Sequence, residues 1–129
     1  MAPAPLAFAD ALSRIRSALA ARPPRRLDIP AFRPAAVLVA LLDRAGGPTL
    51  LFTRRTEHVP HHKGEISFPG GGLHPGEDAA AAALREAEEE VGLPPGRVEV
   101  AGTLDDVPSI ARYVVTPVVA ASVVPAGQP

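Results

Sequence analysis

The stretch "GGLHPGEDAAAAALREAEEEVGL", residues 71–93, decides how this chain is read. It runs from glycines through five alanines into the acids Glu86, Glu88, Glu89 and Glu90, and then to Gly92. Alanine is the best helix former, and an acid at the start suits the helix dipole. Gly92 and the two prolines after Leu93 are stop signals. The pattern therefore predicts a helix from Glu77 or Asp78 to Val91.

At about 100° per residue, with Glu86 set at zero, Glu90 falls at about 40°, Glu89 at about 300° and Glu88 at about 200°. Glu86, Glu89 and Glu90 thus share one arc, and Glu88 points away as a solvated acid. Ala80, Leu84, Ala87 and Val91 form the expected core stripe. Ala79, Ala82 and Ala83 fall on the acid arc and are expected to leave open space in front of it. Three carboxylates on one face suit a hard divalent cation, Mg²⁺ or Mn²⁺, and such an ion suits a phosphate substrate. An acid run in a helix is also compatible with a plain solvated face, so the flanks must decide. Upstream, "FPGGGLHPGE" (68–77) is a glycine-rich loop leading into the helix N-terminus, where backbone N–H groups favour an anion.

Working outward, "AAVLVALL" (35–42) is a continuous apolar run, the mark of a strand covered on both faces. "DRAGGP" (43–48) supplies a turn and "TLLFTRR" (49–55) a second strand, giving a hairpin. A short strand "EISF" precedes the glycines. "VEVAGTL" (98–104) and "YVVTPVVAASVV" (113–124) follow the helix as strands. At the N-terminus Leu6, Ala9, Leu12, Ile15 and Leu19 recur at helical spacing, then "RPPRR" breaks the pattern. That helix reads as a packing or dimerisation element, which admits a homodimer, in preference to a membrane-surface helix. The expected organisation is residues 1–34 as amphipathic helix and proline-rich linker, and 35–129 as one α/β (α+β) domain. Its architecture is an α/β/α sandwich around a mixed sheet. Either the N-terminal helix covers the second face of that sheet, or a C-terminal part is missing.

Composition limits the function classes. With 129 residues the chain suits one domain. A net charge of -1 gives no overall basic field for nucleic acid. The absence of cysteine excludes disulfides, thiolate metal sites and cysteine nucleophiles, and fits a cytoplasmic setting. The N-terminus lacks the pattern of a secretory signal, although its Arg and Ala content is compatible with a transit peptide. No apolar run approaches the roughly 18 residues of a membrane span, so a soluble protein without a membrane partner is expected.

Residues 71–93 resemble the Nudix box, G-x5-E-x7-R-E-U-x-E-E-x-G-U, in which U is a bulky aliphatic residue. Gly71, Glu77, Arg85, Glu86, Glu89, Glu90, Gly92 and Leu93 all fall in place. Ala87 departs, being smaller than the usual aliphatic residue, and is expected to loosen packing without altering the chemistry. The resemblance implies a hydrolase of nucleoside diphosphates linked to another group. It implies that Glu86, Glu89 and Glu90 ligate Mg²⁺ or Mn²⁺, and that Arg85 pairs with a neighbouring glutamate. Glu77 would support the loop–helix corner and Gly92 the end of the box. Water would attack phosphorus, with Glu89 the preferred base or base-linked ligand among the box glutamates, and a later loop the alternative source.

The preceding segment "LLFTRRTEHVPHHKGEISFPGG" (50–71) resembles the signature of the coenzyme A diphosphatase branch of that family. Thr53, Arg55, Gly64, Phe68, Pro69, Gly70 and Gly71 match in order, and "YVVTPVVA" is similar to the branch's later segment. Pro60 stands where the branch usually has Arg, a phosphate-contacting type of residue. The resemblance implies a coenzyme A-like nucleotide substrate. Arg55, Gly70, Gly71 and His74 are the candidate substrate contacts; Arg54 and Lys63 are weaker cationic candidates. His58, His61 and His62 lack the partners of a zinc site and read as substrate-loop or surface residues. Open alternatives are a Nudix enzyme acting on ADP-ribose, a dinucleotide or a damaged nucleotide, and a catalytically silent nucleotide-binding module.

Overall fold

A computed structural model describes residues 6–54 and 65–122. The expected contacts Arg55, His58, His61, His62 and Lys63, with Pro60 and Gly64, lie outside the described residues, as do the last residues of the strand expected over 113–124.

The long apolar run forms β1 (Arg33–Arg44), and the glycine-containing turn returns the chain as β2 (Gly47–Leu50). They pair antiparallel, as the hairpin reading expects. β6 (Val98–Thr103) and β8 (Tyr113–Ser122) complete a sheet in the order β2-β1-β8-β6. β1 and β8 run parallel over the register Arg33↔Tyr113 to Leu41↔Ala121, so the sheet is mixed. A two-residue strand not foreseen from the sequence, β7 (Val107–Pro108), also pairs with β8.

Two expected elements are divided. The second strand stops at Leu50; Thr53–Arg54 (β3) instead pairs with Ile66–Ser67 (β4) in a separate two-stranded sheet. The glycine stretch, read as loop, contains β5 (Gly70–Gly72), antiparallel to β1 with Ala36 opposite Gly71. Glycine is poor strand material by propensity, but here it permits closeness. A Cβ at Gly70 would collide with the Ala36 carbonyl oxygen and Val37.

The helix α2 (Ala79–Val91) begins where Asp78 accepts from the Ala81 N–H at 2.8 Å. It ends at Gly92, in the left-handed region at φ 71, whose N–H bonds back to Glu88 O at 3.0 Å. Because side chains alternate across a strand, Ala36, Leu38 and Ala40 of β1 and Val118 and Ala120 of β8 meet Ala82, Ala83 and Ala87 of α2. Ala82 and Ala83, expected to front open space, are fully buried. The core stripe is wider than a helical wheel suggests because alanines let α2 lie flat on the sheet. Val91, expected in the core, is instead 37% exposed. Ala87, the small residue at an aliphatic position, is fully buried among other alanines.

The N-terminal helix, α1 (Phe8–Ala21), packs on β1, β2 and β6, over the face α2 leaves uncovered. The second face is thereby covered by the N-terminal helix, and the fold is the expected sandwich with a helix on each side. Among the described residues no helix is long and apolar enough to cross a membrane.

The N-cap carries a testable stability. Asp78→Ala is expected to cost about 1 kcal/mol in urea unfolding through the lost Ala81 N–H partner. An unchanged midpoint would mean that the helix start is held by packing alone.

Candidate active site

The site is assembled around Arg85. Its Nε donates to Glu77 Oε2 at 2.8 Å and its Nη2 to Glu77 Oε1 at 3.0 Å, a two-pronged pairing across eight residues. Nη2 also donates to the Gly72 carbonyl at 3.1 Å, tying α2 to β5. Nη1 donates to Glu86 Oε1 at 3.0 Å and lies 3.4 Å from Glu89 Oε2. One guanidinium thus holds three carboxylates and one strand carbonyl, a task its planar five-donor fork suits and an ammonium does not.

Glu77 closes the corner from the other side by accepting the His74 N–H at 2.9 Å. The Arg85 hydrogen bond foremost, then that His74 N–H, holds the Glu77 carboxyl at about 2, from an ordinary 4.5. Arg85 is pushed upward in turn, chiefly by Glu77. Both side chains are mostly shielded from water.

Glu86 lies over the glycine strand. A Cβ on Gly71 would sit 2.6 Å from Glu86 Oε1, so only glycine leaves the carboxylate where it is. Its side chain is 17% exposed, against 57% for Glu89. Glu88, Glu89 and Glu90 are all solvent-facing residues.

Groups of the expected loop-and-dipole anion cradle also have structural partners. Gly70–Gly72 is committed to pairing with β1, the His74 N–H is spent on Glu77, and the helix N-terminus is capped by Asp78. The exposed His74 side chain remains free to meet solvent-borne groups. Glycines signal either close backbone packing or ligand approach, and only tertiary pairing distinguishes the two.

The carboxylates test the fit of a divalent cation. Among the described residues no three His, Asp or Glu side chains converge into a cage. Glu86 and Glu89 nevertheless reach the same Arg85 nitrogen. That donor set fits Mg²⁺ or Mn²⁺ held by one or two carboxylates with phosphate oxygens completing the shell, the usual manner for Mg²⁺. It does not fit a soft-ligand metal, since the chain has no cysteine.

Sequence reading missed a second polar cluster. Asp106, with a side chain only 5% exposed, accepts from Thr116 Oγ1 at 2.7 Å and the Leu27 N–H at 3.0 Å. The one available signal was the pair "DD" at 105–106 interrupting a β-rich stretch.

A family model described as the NUDIX domain matches residues 32–124. The chain is 51% identical over 88 residues to an Escherichia coli K12 protein named as the uncharacterized Nudix hydrolase NudL. That alignment covers 67% of this chain but 45% of the relative, so this chain spans under half of that protein's length. Among solved structures, a Nudix hydrolase of M. smegmatis, RenU, is 28% identical with a TM-score of 0.60 over 72% of this chain and 63% of that one. A C. elegans Ap4A hydrolase is 26% identical with a TM-score of 0.56 over 70% and 68%.

The depressed Glu77 carboxyl predicts a pH signature. Its folded value lies below its unfolded value, so its stabilising contribution is complete above 4.5 and disappears as pH falls through about 2. The stability gap between wild type and Glu77→Gln, from urea unfolding at stepped pH, should be flat above that window and narrow within it. A constant gap throughout would remove the ionised Glu77–Arg85 pair as its cause.

Proposed function

The chain belongs to the Nudix family, and on that premise we propose that it is a divalent-metal-dependent hydrolase of nucleoside diphosphate-linked compounds, acting on coenzyme A or acyl-coenzyme A. The products are 3′,5′-ADP and 4′-phosphopantetheine or its acylated form. The observation that carries this reading is the gathering of Glu77, Glu86 and Glu89 on one arginine above a glycine strand.

In this reading Glu86, Glu89 and Glu90 hold Mg²⁺ or Mn²⁺. A cation there would neutralise phosphate charge and make water more acidic. Glu89, the most water-accessible carboxylate on Arg85, accepts the proton of the attacking water. Arg85 and Glu77 are positioning residues: they set where the carboxylates of Glu86 and Glu89 stand. Gly71 leaves the room that Glu86 needs, and Gly92 ends the helix that carries all three acids. Arg55, Gly70, Gly71 and His74 are the proposed substrate contacts. Residues 35–129 form the catalytic unit, acting in the cytoplasm as a monomer or homodimer.

The coenzyme A assignment rests on the order Thr53, Arg55, Gly64, Phe68, Pro69, Gly70, Gly71 upstream of the box. A second reading, hydrolysis of a dinucleotide or of ADP-ribose, is favoured by Pro60 at the usual Arg position and by the fold likeness to an Ap4A hydrolase.

Two measurements test the proposal. Glu89→Gln and Glu90→Gln should each lower turnover roughly a hundredfold or more with metal present, while far-UV circular dichroism stays native. Full activity in either variant would strip that residue of its role. Hydrolysis rates for coenzyme A, ADP-ribose, NADH and Ap4A, compared with products identified, should be highest for coenzyme A. A preference for Ap4A or ADP-ribose would replace the substrate assignment, and no turnover of any by the folded protein would favour a silent binding module.

A further inference from the structure

The proline-rich stretch between α1 and β1 reads in sequence as a linker, yet it is bonded to the far side of the domain. Arg25 N–H donates to Asp105 Oδ1 at 2.8 Å and Leu27 N–H to Asp106 Oδ2 at 3.0 Å. Asp106 N–H donates in return to Arg25 O at 2.9 Å. Arg22 reaches Asp105 Oδ2 at 3.2 Å, and Arg26 reaches Asp106, Leu104 O and Thr103 Oγ1. Thr116 of β8 completes the shell of Asp106.

These bonds differ in depth. Arg22 and Arg26 are 65% and 45% exposed, so their ion pairs alone contribute little. Asp106 is different, because a carboxylate 5% exposed must keep its partners or be expelled. Burial alone would raise the Asp106 pKa, but the Leu27 N–H, Thr116 and Arg26 together bring it below the ordinary value.

What the stretch holds down is a short helix. α1 has 14 residues, short enough to be marginal as a free helix. Of these, Ala11 is its buried residue, and Leu19 lies against Gly102, where an added Cβ would be 3.1 Å from Leu19 Cδ1. Phe8, Leu12, Ile15 and Leu19 are half-buried and Arg16 pairs with Glu99 of β6 at 3.3 Å, so α1 and the stretch after it share the hold on the sheet.

We propose that Arg22–Leu27 is a strap, latched by Asp106, that docks and releases together with α1 as one cooperative unit. Latched, it covers the sheet face bearing Ala35, Leu41, Val119 and Ala121; released, it uncovers that face while the α2 side stays folded. The latch is the point of control, since it joins the strap to the turn between β6 and β7 and, through Thr116, to the central strands.

Amide hydrogen exchange on the full chain tests this. In the wild type the amides of Arg25, Leu27 and Asp106 should be protected to a common degree, with α1 exchanging alongside and α2 more slowly. Asp106→Asn should speed exchange of the strap and α1 about tenfold or more, leaving α2 unchanged. Thr116→Val, which removes one hydrogen bond to Asp106 and keeps the side-chain shape, should shift the same set in the same direction and decides the matter if Asp106→Asn unfolds the domain. Strap amides exchanging at unfolded-chain rates in the wild type would overturn the proposal. So would α1 protection that ignores both substitutions.

Discussion

Everything in the site leans on one guanidinium. Arg85 is the only described group that touches the loop–helix corner through Glu77, the glycine strand through Gly72 O, and the acid face through Glu86 and Glu89. Its charge reconciles carboxylates that would otherwise repel one another. Its fixed fork geometry also converts that charge into a position, which a flexible ammonium would not.

That arrangement demands unusual closeness between α2 and the sheet, and small residues supply it on both sides. Among the described residues, six of the eight fully buried members of the core cluster are alanine, so α2 can lie near the strand backbones. Opposite them stand Gly70 and Gly71, where any side chain would strike β1 or the Glu86 carboxylate. The site and the core are therefore one packing problem: the residues that let the helix approach also let Glu86 rest over β5.

The two helices hold the sheet by different means. α2 is buried along a broad face and capped at both ends, whereas α1 has one buried and four half-buried apolar residues and a charged, hydrogen-bonded strap at its C-terminal end. Apolar burial and caps hold the first; a half-buried apolar face, the Arg16–Glu99 pair and directional bonds to two aspartates hold the second. Such a division places the broader buried contact beneath the acids and the strap on the opposite face.

The sequence by itself determined what local chemistry controls. The limits of α2 were legible from Asp78 and Gly92, because caps act within one helical turn. The β1–β2 hairpin and the doubly covered β1 were legible from hydrophobic pattern, and the sharing of one face by Glu86 and Glu89 from a fixed helical angle. Tertiary structure alone showed that the glycines pair as β5 with β1, a use that the sequence does not separate from ligand approach, since both need the same backbone freedom. It alone decided that Ala82 and Ala83 are core, because the width of a buried stripe depends on how close the sheet comes. It alone joined Leu27 to Asp106 across 79 residues, for no periodicity records a contact between segments whose meeting depends on how the whole sheet is wound.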